Sequence, residues 1–405
     1  MKWALYIFSL FCTVNCSSYF ITLRDNESFD DFYANDMKYP EPLRVRDQIR
    51  NIFTIGKFKG FVGDFSKTAL ERLSRCPYVS EITPDITFNA LEIQVQPYAP
   101  RHLARISSKK KLKKNLVFVY DDVFSGQGVN AYIVDSGIKI EHPQFEGRAY
   151  FGRDFTGLGS GDTNGHGTHV AGLVGSQTYG VAKNVNLIEV RALGDGGSGS
   201  LSTIIAALEF AVNHRRRSGK PGVANLSLGS VRNSVLNRAI DAAVEDDLVV
   251  VAAAGNTNTN ACKSSPGSAI GAITVGSIDD SSDAIAGFSN WGECVDIFAP
   301  GAAIKSVDYQ DLKVPKSLSG TSMSAPIVSG IVANLLSAGV PPSDVKTTLL
   351  KMATNGKVKR TSLLLKGRTP NKIAHMGLNL PDAWEDKGEE NSDADTDYES
   401  GSDTK

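Results

Sequence analysis

Short apolar runs alternate with amphipathic stretches through the middle of this 405-residue chain. From VNAYIVDSG onward, NVNLIEVRAL, GVANLSL, DLVVVAAAG and AITVGSI are near-continuous in Val, Ile, Leu and Ala, while LSTIIAALEFAVNHRR and VLNRAIDAAVED carry a helical period. Strands apolar on both faces, separated by helices, predict an α/β fold: a parallel sheet with helices on both faces. Sites in such sheets lie at the carboxyl ends of the strands. Three of the predicted strand ends are polar and glycine-rich: Asp135 after AYIV, Ser227 and Gly229 after VANL, and Asn256 after VVVAAAG.

The pattern ahead of this region is different. SYFITL reads as a strand, FTIGKFKGFVGDF as a strand pair with glycines at the bends, SKTALERLSR as a helix begun by Ser66, and VSEITPDITFNALEIQV as one further extended segment. Together they predict a small α+β unit ending near residue 95. The basic run RISSKKKLKK that follows reads as an exposed loop. At the start, MKWALYIFSLFCTVNCSS sets Lys2 before an apolar run that ends in small polar residues, the layout of a secretory signal peptide. A spanning helix is the alternative, but the run is short for a bilayer. The end, DAWEDKGEENSDADTDYESGSDTK, is acidic and nearly free of apolar residues, so it reads as a disordered, solvated tail. The expected division is 1–18 signal peptide, 19–95 small unit, 96–380 main domain and 381–405 tail.

Composition narrows the partners. A formal net charge of −1 gives no basic excess for nucleic acid. The five cysteines fall as Cys12 and Cys16 in the leader, Cys76 alone, and Cys262 with Cys294. If the leader and a region holding Cys76 are removed, the remaining pair can form one disulfide in an oxidising compartment or stay as two buried thiols. No repeat of 20–50 residues points to a solenoid.

The candidate chemistry starts with NGHGTHVAGLVG, where His166 and His169 stand three residues apart. Such a pair suits a metal site, a proton-relay histidine beside a packing one, or two core imidazoles. Zinc catalysis needs a third ligand and, in the HExxH class, a glutamate that HGTH lacks. In SLSGTSMSAPIVSGIVANLL, Ser322 lies between a glycine turn and a helix start, where free N–H groups surround its hydroxyl. A serine nucleophile needs a neutral imidazole in reach and a carboxylate to orient it. Asp135, His166 and Ser322 can fill these roles, and Asn256 adds a donor for a developing oxyanion, a contribution of roughly 3–4 kcal/mol in comparable sites.

YIVDSGI, NGHGTHVAG, VANLSLGS, VVVAAAGN and SGTSMSAP, in that order, resemble the five signature blocks of the subtilisin-like serine proteases, closest to the fungal proteinase K and cerevisin branch. The order Asp, His, Ser is the subtilisin order. The resemblance implies a subtilisin-like α/β sheet, with Asp135 as orienting carboxylate, His166 as general base, Ser322 as nucleophile and Asn256 as oxyanion donor. His169 then resembles a packing histidine. Gly197 to Leu201 (with Gly199 and Ser200) and Leu226, Ser227, Leu228 and Gly229 resemble the two edge strands that clamp an extended peptide.

Several positions depart from the family: Ser230 stands where a second glycine is usual, Ile327 where a histidine is, Leu201 where an aromatic walls a pocket, and Arg101 where a tryptophan is common. Ser230 puts the substrate range in doubt, and Lys263 near the first pocket reads as a surface lysine.

The unit up to about residue 95 resembles the ferredoxin-like inhibitor propeptide of the same family, and QPYAPRHLARIS from Gln96 resembles the mature start. The resemblance further implies a self-processing zymogen of the secretory pathway, destined for the medium, a wall or the vacuole. It implies a peptide or protein substrate, the chain's own propeptide as a partner, no membrane span after signal removal and action as a monomer. A Cys262–Cys294 disulfide resembles a pairing in related subtilisins. No cofactor is required, with a structural calcium ion near Asp283 left open. The rival class is a catalytically restricted or inactive subtilase-fold wall or vacuole protein acting by interaction. A lipase or esterase would want G-x-S-x-G, which is absent around Ser322.

Overall fold

The computed structural model describes residues 17–41, 43–85, 93–112 and 116–378. Most of the expected leader, the junction at 86–92 and the acidic tail therefore lie outside the described residues. The chain divides between Ala90 and Leu91 into two compact units.

The first unit runs β1 (Ser17–Leu23), α1 (Phe29–Asp36), β2 (Ile49–Ile55), β3 (Phe58–Phe65), α2 (Lys67–Leu73) and β4 (Val79–Pro84). Its antiparallel sheet has the order β2-β3-β1-β4, the ferredoxin-like βαββαβ arrangement. β1 takes in Ser17 and Ser18, the last residues of the predicted leader, because they pair with Phe65 and Asp64. Ser66 caps α2 by accepting the Ala69 N–H at 3.2 Å. The sequence reading passed over α1, although Ser28 caps it in the same way through the Asp31 N–H. Ile21, Phe32, Phe61, Phe65 and Leu73 fill the core between helices and sheet.

The second unit begins with β5 (Ile93–Pro97), α3 (Arg101–Ser107) and β6 (Val117–Asp121). The long extended segment predicted over VSEITPDITFNALEIQV is thus split between units, since β5 pairs antiparallel with β6 and not with β4. Then follow β7 (Asn130–Asp135), β8 (Ala149–Asp154), α4 (His166–Gly175), β9 (Asn186–Arg191), α5 (Leu201–Ser218), β10 (Gly222–Leu226), β11 (Ser230–Val231), α6 (Ser234–Glu245) and β12 (Leu248–Ala253). β13 (Ser264–Ser265), β14 (Ile273–Asp279), β15 (Ala284–Ile285), β16 (Ile297–Pro300), β17 (Ile304–Ser306), β18 (Lys316–Leu318), α7 (Thr321–Ser337), α8 (Pro342–Met352), β19 (Thr354–Asn355) and β20 (Lys372–Ile373) complete it.

The main sheet has the order β19-β20-β16-β14-β12-β10-β7-β9-β8, parallel from β8 through β20, with antiparallel strands added at β15 and β19. Every residue of β7, β10 and β12 is buried. Successive side chains alternate between two cores. Ile133, Val223 and Val251 face α4 and α7, whereas Tyr132, Val134, Ala224 and Val250 face α5 and α6. Covering both faces explains why these strands read as unbroken apolar runs.

The basic run that begins within α3 is exposed at Lys109, Lys110 and Lys111, but its first residue is not a loop cation. Arg105 is fully buried and pairs with Asp283. Among the described residues no single helix is long and apolar enough to cross a membrane, and α7 and α8 are bent by 119° at the break between them.

Cys262 and Cys294 form a disulfide with a Cα–Cα distance of 5.3 Å, tying the loop after β12 to the segment before β16. Cys76 remains a buried free thiol in the first unit. Closing a loop of this length stabilises by about 4 kcal/mol. Cys262→Ser with Cys294→Ser is therefore expected to lower the melting temperature of the second unit by several degrees. A non-reduced peptide map of the wild type should contain the linked pair, and separately alkylated thiols there would contradict the assignment.

Candidate active site

Asp135 ends β7, so the last buried strand position delivers a carboxylate to the sheet's carboxyl edge. Its Oδ1 lies 2.8 Å from His166 Nδ1 and also accepts the Ser136 N–H at 2.8 Å. A carboxylate oxygen only accepts, so Nδ1 carries the proton and Nε2 keeps its lone pair. The other oxygen, Oδ2, is buried without a hydrogen-bond partner among the described residues.

His166 opens α4 directly after Gly165. Gly165 has φ 92°, and a Cβ there would fall 2.4 Å from the Tyr309 ring, so both the backbone and the space demand glycine. The loop into this helix is held by Asp162. Its Oδ1 accepts Ser136 Oγ, Asn164 N and Gly165 N at 3.0, 3.0 and 2.8 Å. Its Oδ2 accepts Thr168 N and Thr168 Oγ1 at 2.9 and 2.6 Å. Burial pulls the His166 pKa down, but Asp135, by charge and hydrogen bond, and the charge of Asp162 outweigh it and hold the imidazole above its ordinary range.

The second histidine is held quite differently. His169 is fully buried, and its Nε2 lies 3.2 Å from Ile304 O and 3.1 Å from Lys316 O, across β17 and β18. Two carbonyl acceptors put the proton on Nε2. Burial pushes its pKa down to about 4. No group of three or more His, Cys, Asp or Glu that could hold a metal ion occurs among the described residues.

Ser322 is the second residue of α7. Its Oγ donates to Ser227 O at 3.2 Å, and Ser227 Oγ donates back to Ser322 O at 2.8 Å. In this structure Ser322 therefore bonds to the wall after β10 and not to His166; such contacts commonly tighten only with substrate. Asn256, exposed on the loop after β12, has its Oδ1 held by Thr321 N at 2.8 Å and Thr321 Oγ1 at 2.9 Å. The amide nitrogen is thereby turned to the other side.

Two hollows share the wall Leu228 to Val231. One, of about 390 Å³, is lined by Ala253, Asn256, Thr257, Lys263 and Ser322 among others. The other, of about 460 Å³, is lined by His166, Gly199, Leu201, Ile204 and Leu236 among others. Gly197, Gly199, Leu201, Leu228 and Gly229 thus lie along a continuous groove.

Leu226 does not border that groove. Leu226 is the fully buried end of β10, and Ser200 caps α5 by accepting the Thr203 N–H. Neither Gly197 to Ser200 nor Ser227 to Gly229 forms a strand in this structure.

Asp283, near which a calcium ion was left open, pairs with an arginine of the chain. Asp283 Oδ1 and Oδ2 face Arg105 Nε at 2.7 Å and Nη2 at 3.2 Å, so a guanidinium of the chain already neutralises the carboxylate. Asp162, Thr321 and Ser136 were missed in the sequence. For Asp162 a signal existed, because an aspartate shortly before a helix start is a capping signature.

The chain is similar to several known proteins. The family profile described as Peptidase_S8, Subtilase family, matches residues 126–367. The chain is 41% identical over 413 aligned positions to the Subtilase-type proteinase RRT12 of Saccharomyces cerevisiae, covering 91% of this chain and 84% of the relative. It is 40% identical to Cerevisin of the same yeast, over 71% of this chain and 47% of that one. The crystal structure of a cold adapted subtilisin-like serine proteinase superposes with a TM-score of 0.63 at 38% identity, covering 70% of this chain and 99% of the other.

Two outcomes are expected. Replacing Asp162 by Asn removes a negative charge that favours the imidazolium, so the acidic limb of a kcat/KM profile should move to lower pH; an unmoved limb would contradict the electrostatic role. For the histidines, His166→Ala should lower turnover by orders of magnitude, whereas His169→Ala should cost roughly 1–3 kcal/mol of stability and keep turnover per active molecule. The sign of the pH effect follows. His169 is neutral in the fold down to about 4 but protonates near 6.5 when unfolded, so its contribution is present above 6.5 and lost as pH falls toward 4. Melting temperature against pH, with active-site titration, separates the two variants.

Proposed function

Because the chain belongs to the subtilase family of serine proteases, we propose that it is a serine endopeptidase whose triad is Asp135, His166 and Ser322. The observation that carries this reading is the Asp135–His166 pair at 2.8 Å, with its carboxylate buried and its imidazole on a groove that also exposes Ser322 and Asn256.

In the proposed reaction Ser322 Oγ turns from the Ser227 carbonyl toward His166 Nε2 and attacks the peptide carbonyl. His166 takes the hydroxyl proton, and the imidazolium is stabilised by the anionic Asp135. The carbonyl oxygen becomes an oxyanion, which Asn256 Nδ2 meets from the side opposite its Thr321-bound oxygen. His166 then returns the proton to the leaving amine, the C–N bond breaks, and water releases the acyl group by the same sequence. These steps are complete without a cofactor.

The substrate fitting this groove is an extended peptide lying along Gly197 to Gly199 and Ser227 to Gly229, with one side chain in the first hollow and another against Leu201, Ile204 and Leu236. We further read the first unit as a propeptide, supported by its βαββαβ order and its own core. Passage through the secretory pathway is supported by the leader sequence and the disulfide.

Ser322→Ala is expected to leave the chain folded but uncut between its two units, because self-processing needs the same nucleophile as substrate cleavage. A blot of wild type and variant expressed alone, with circular dichroism of both, is the measurement. A variant maturing at the wild-type rate would assign processing to another protease, and a wild type inert toward unfolded peptides after maturation would favour the non-catalytic reading.

A further inference from the structure

The loop that carries Asn256 projects from the end of β12, and its residues Asn256 to Thr259 are exposed. Its order comes from the segment 288–294, and above all from Asn290, which is 1% exposed. Asn290 Oδ1 accepts Thr257 N at 3.1 Å, Thr257 Oγ1 at 3.0 Å and Thr259 N at 3.0 Å. Its Nδ2 donates to Ala254 O at 2.8 Å, and its main-chain N–H donates to Gly255 O at 2.9 Å. One buried amide therefore grips the chain on both sides of Asn256.

The backbone is shaped around it. Gly255 has φ 103°, and a Cβ there would lie 2.4 Å from Asn290 Nδ2. Around this centre Asn258 N donates to Phe288 O, Trp291 N to Thr259 O, and Ala261 N to Trp291 O, while the Cys262–Cys294 disulfide closes the same pair of segments. From the other side Thr321 fixes the Asn256 amide oxygen.

We propose that Asn290 is a positioning residue for the oxyanion site: it sets the path of residues 254–259 and so decides where the Asn256 amide nitrogen points. This rests on the reading of Asn256 as the oxyanion donor. Its physical basis is that a donor stabilises the transition state only when held at hydrogen-bond distance from the developing charge, so a displacement of about 1 Å can cost about 10²-fold. Asn290 also borders the first hollow. A role through that pocket would alter KM for bulky side chains, whereas a role through Asn256 alters kcat.

The test is a double-mutant cycle of wild type, Asn256→Ala, Asn290→Ala and the double variant, each matured in trans by immobilised wild-type enzyme and quantified by active-site titration. Asn256→Ala should lower kcat about 10²–10³-fold. Asn290→Ala should lower kcat about 10–100-fold with KM within about 3-fold, and should add less than about 3-fold once Asn256 is already Ala. The same factor in both backgrounds, or a rise in KM at constant kcat, would overturn the positioning role while leaving the oxyanion reading intact. A normal kcat for Asn256→Ala would overturn the oxyanion reading, and the proposal with it. If Asn290→Ala does not accumulate as folded protein, Asn290→Ser, which retains one acceptor, is carried through the same cycle with the same criteria.

Discussion

A parallel sheet buried on both faces can offer polar chemistry only at its strand ends, and this constraint governs the whole second unit. β12, β10 and β7 are neighbours in the sheet, so whatever follows them in sequence meets in space. Asp135 closes β7, Ser227 follows β10, and Asn256 follows β12. Residues 31 to 187 positions away, on the starts of α4 and α7, complete the set from above the same edge. Polar side chains along the strands, such as Glu189 in β9 and Asn225 in β10, are buried, so each has to be desolvated and needs hydrogen-bond partners.

Holding such an edge in shape is a task for carboxylates. The stretch DFTGLGSGDTNG before His166 has few side chains to pack, and it is wrapped instead around three acids. Asp154 accepts from Thr156 and Gly159, Glu189 from Ser160 and Gly161, and Asp162 from five donors between Ser136 and Thr168. Burial pushes the Glu189 pKa up, and the hydrogen bonds it accepts from Gly161 and Ser160 oppose that shift. A loop built in this way is rigid without being apolar, which suits a segment that ends on a general base.

The legible parts of the sequence were those decided by neighbours in the chain. Apolar runs announced β7, β10, β12 and β14, and Ser66, with α5 and α6, followed helical rules. The five motif blocks carried Asp135, His166, Asn256 and Ser322 together. What stayed hidden depends on distant partners. Arg105 looks like one more cation of a basic run because Asp283 lies 178 residues away. Leu226 looks like part of a peptide clamp although it is the fully buried end of a strand. Asn290, in an ordinary turn sequence, reveals its importance only when the loop it grips is in view.

The Arg105–Asp283 pair has a consequence for the order of folding. A guanidinium with no solvent exposure cannot be buried alone at any reasonable cost, and its hydrogen-bonding partner is made much later. During synthesis α3 can therefore form but cannot settle into its final place until the turn holding Asp283 has emerged. The beginning of the second unit is in this sense locked by its far half, so that half-made chains keep their amino-terminal segment unsealed.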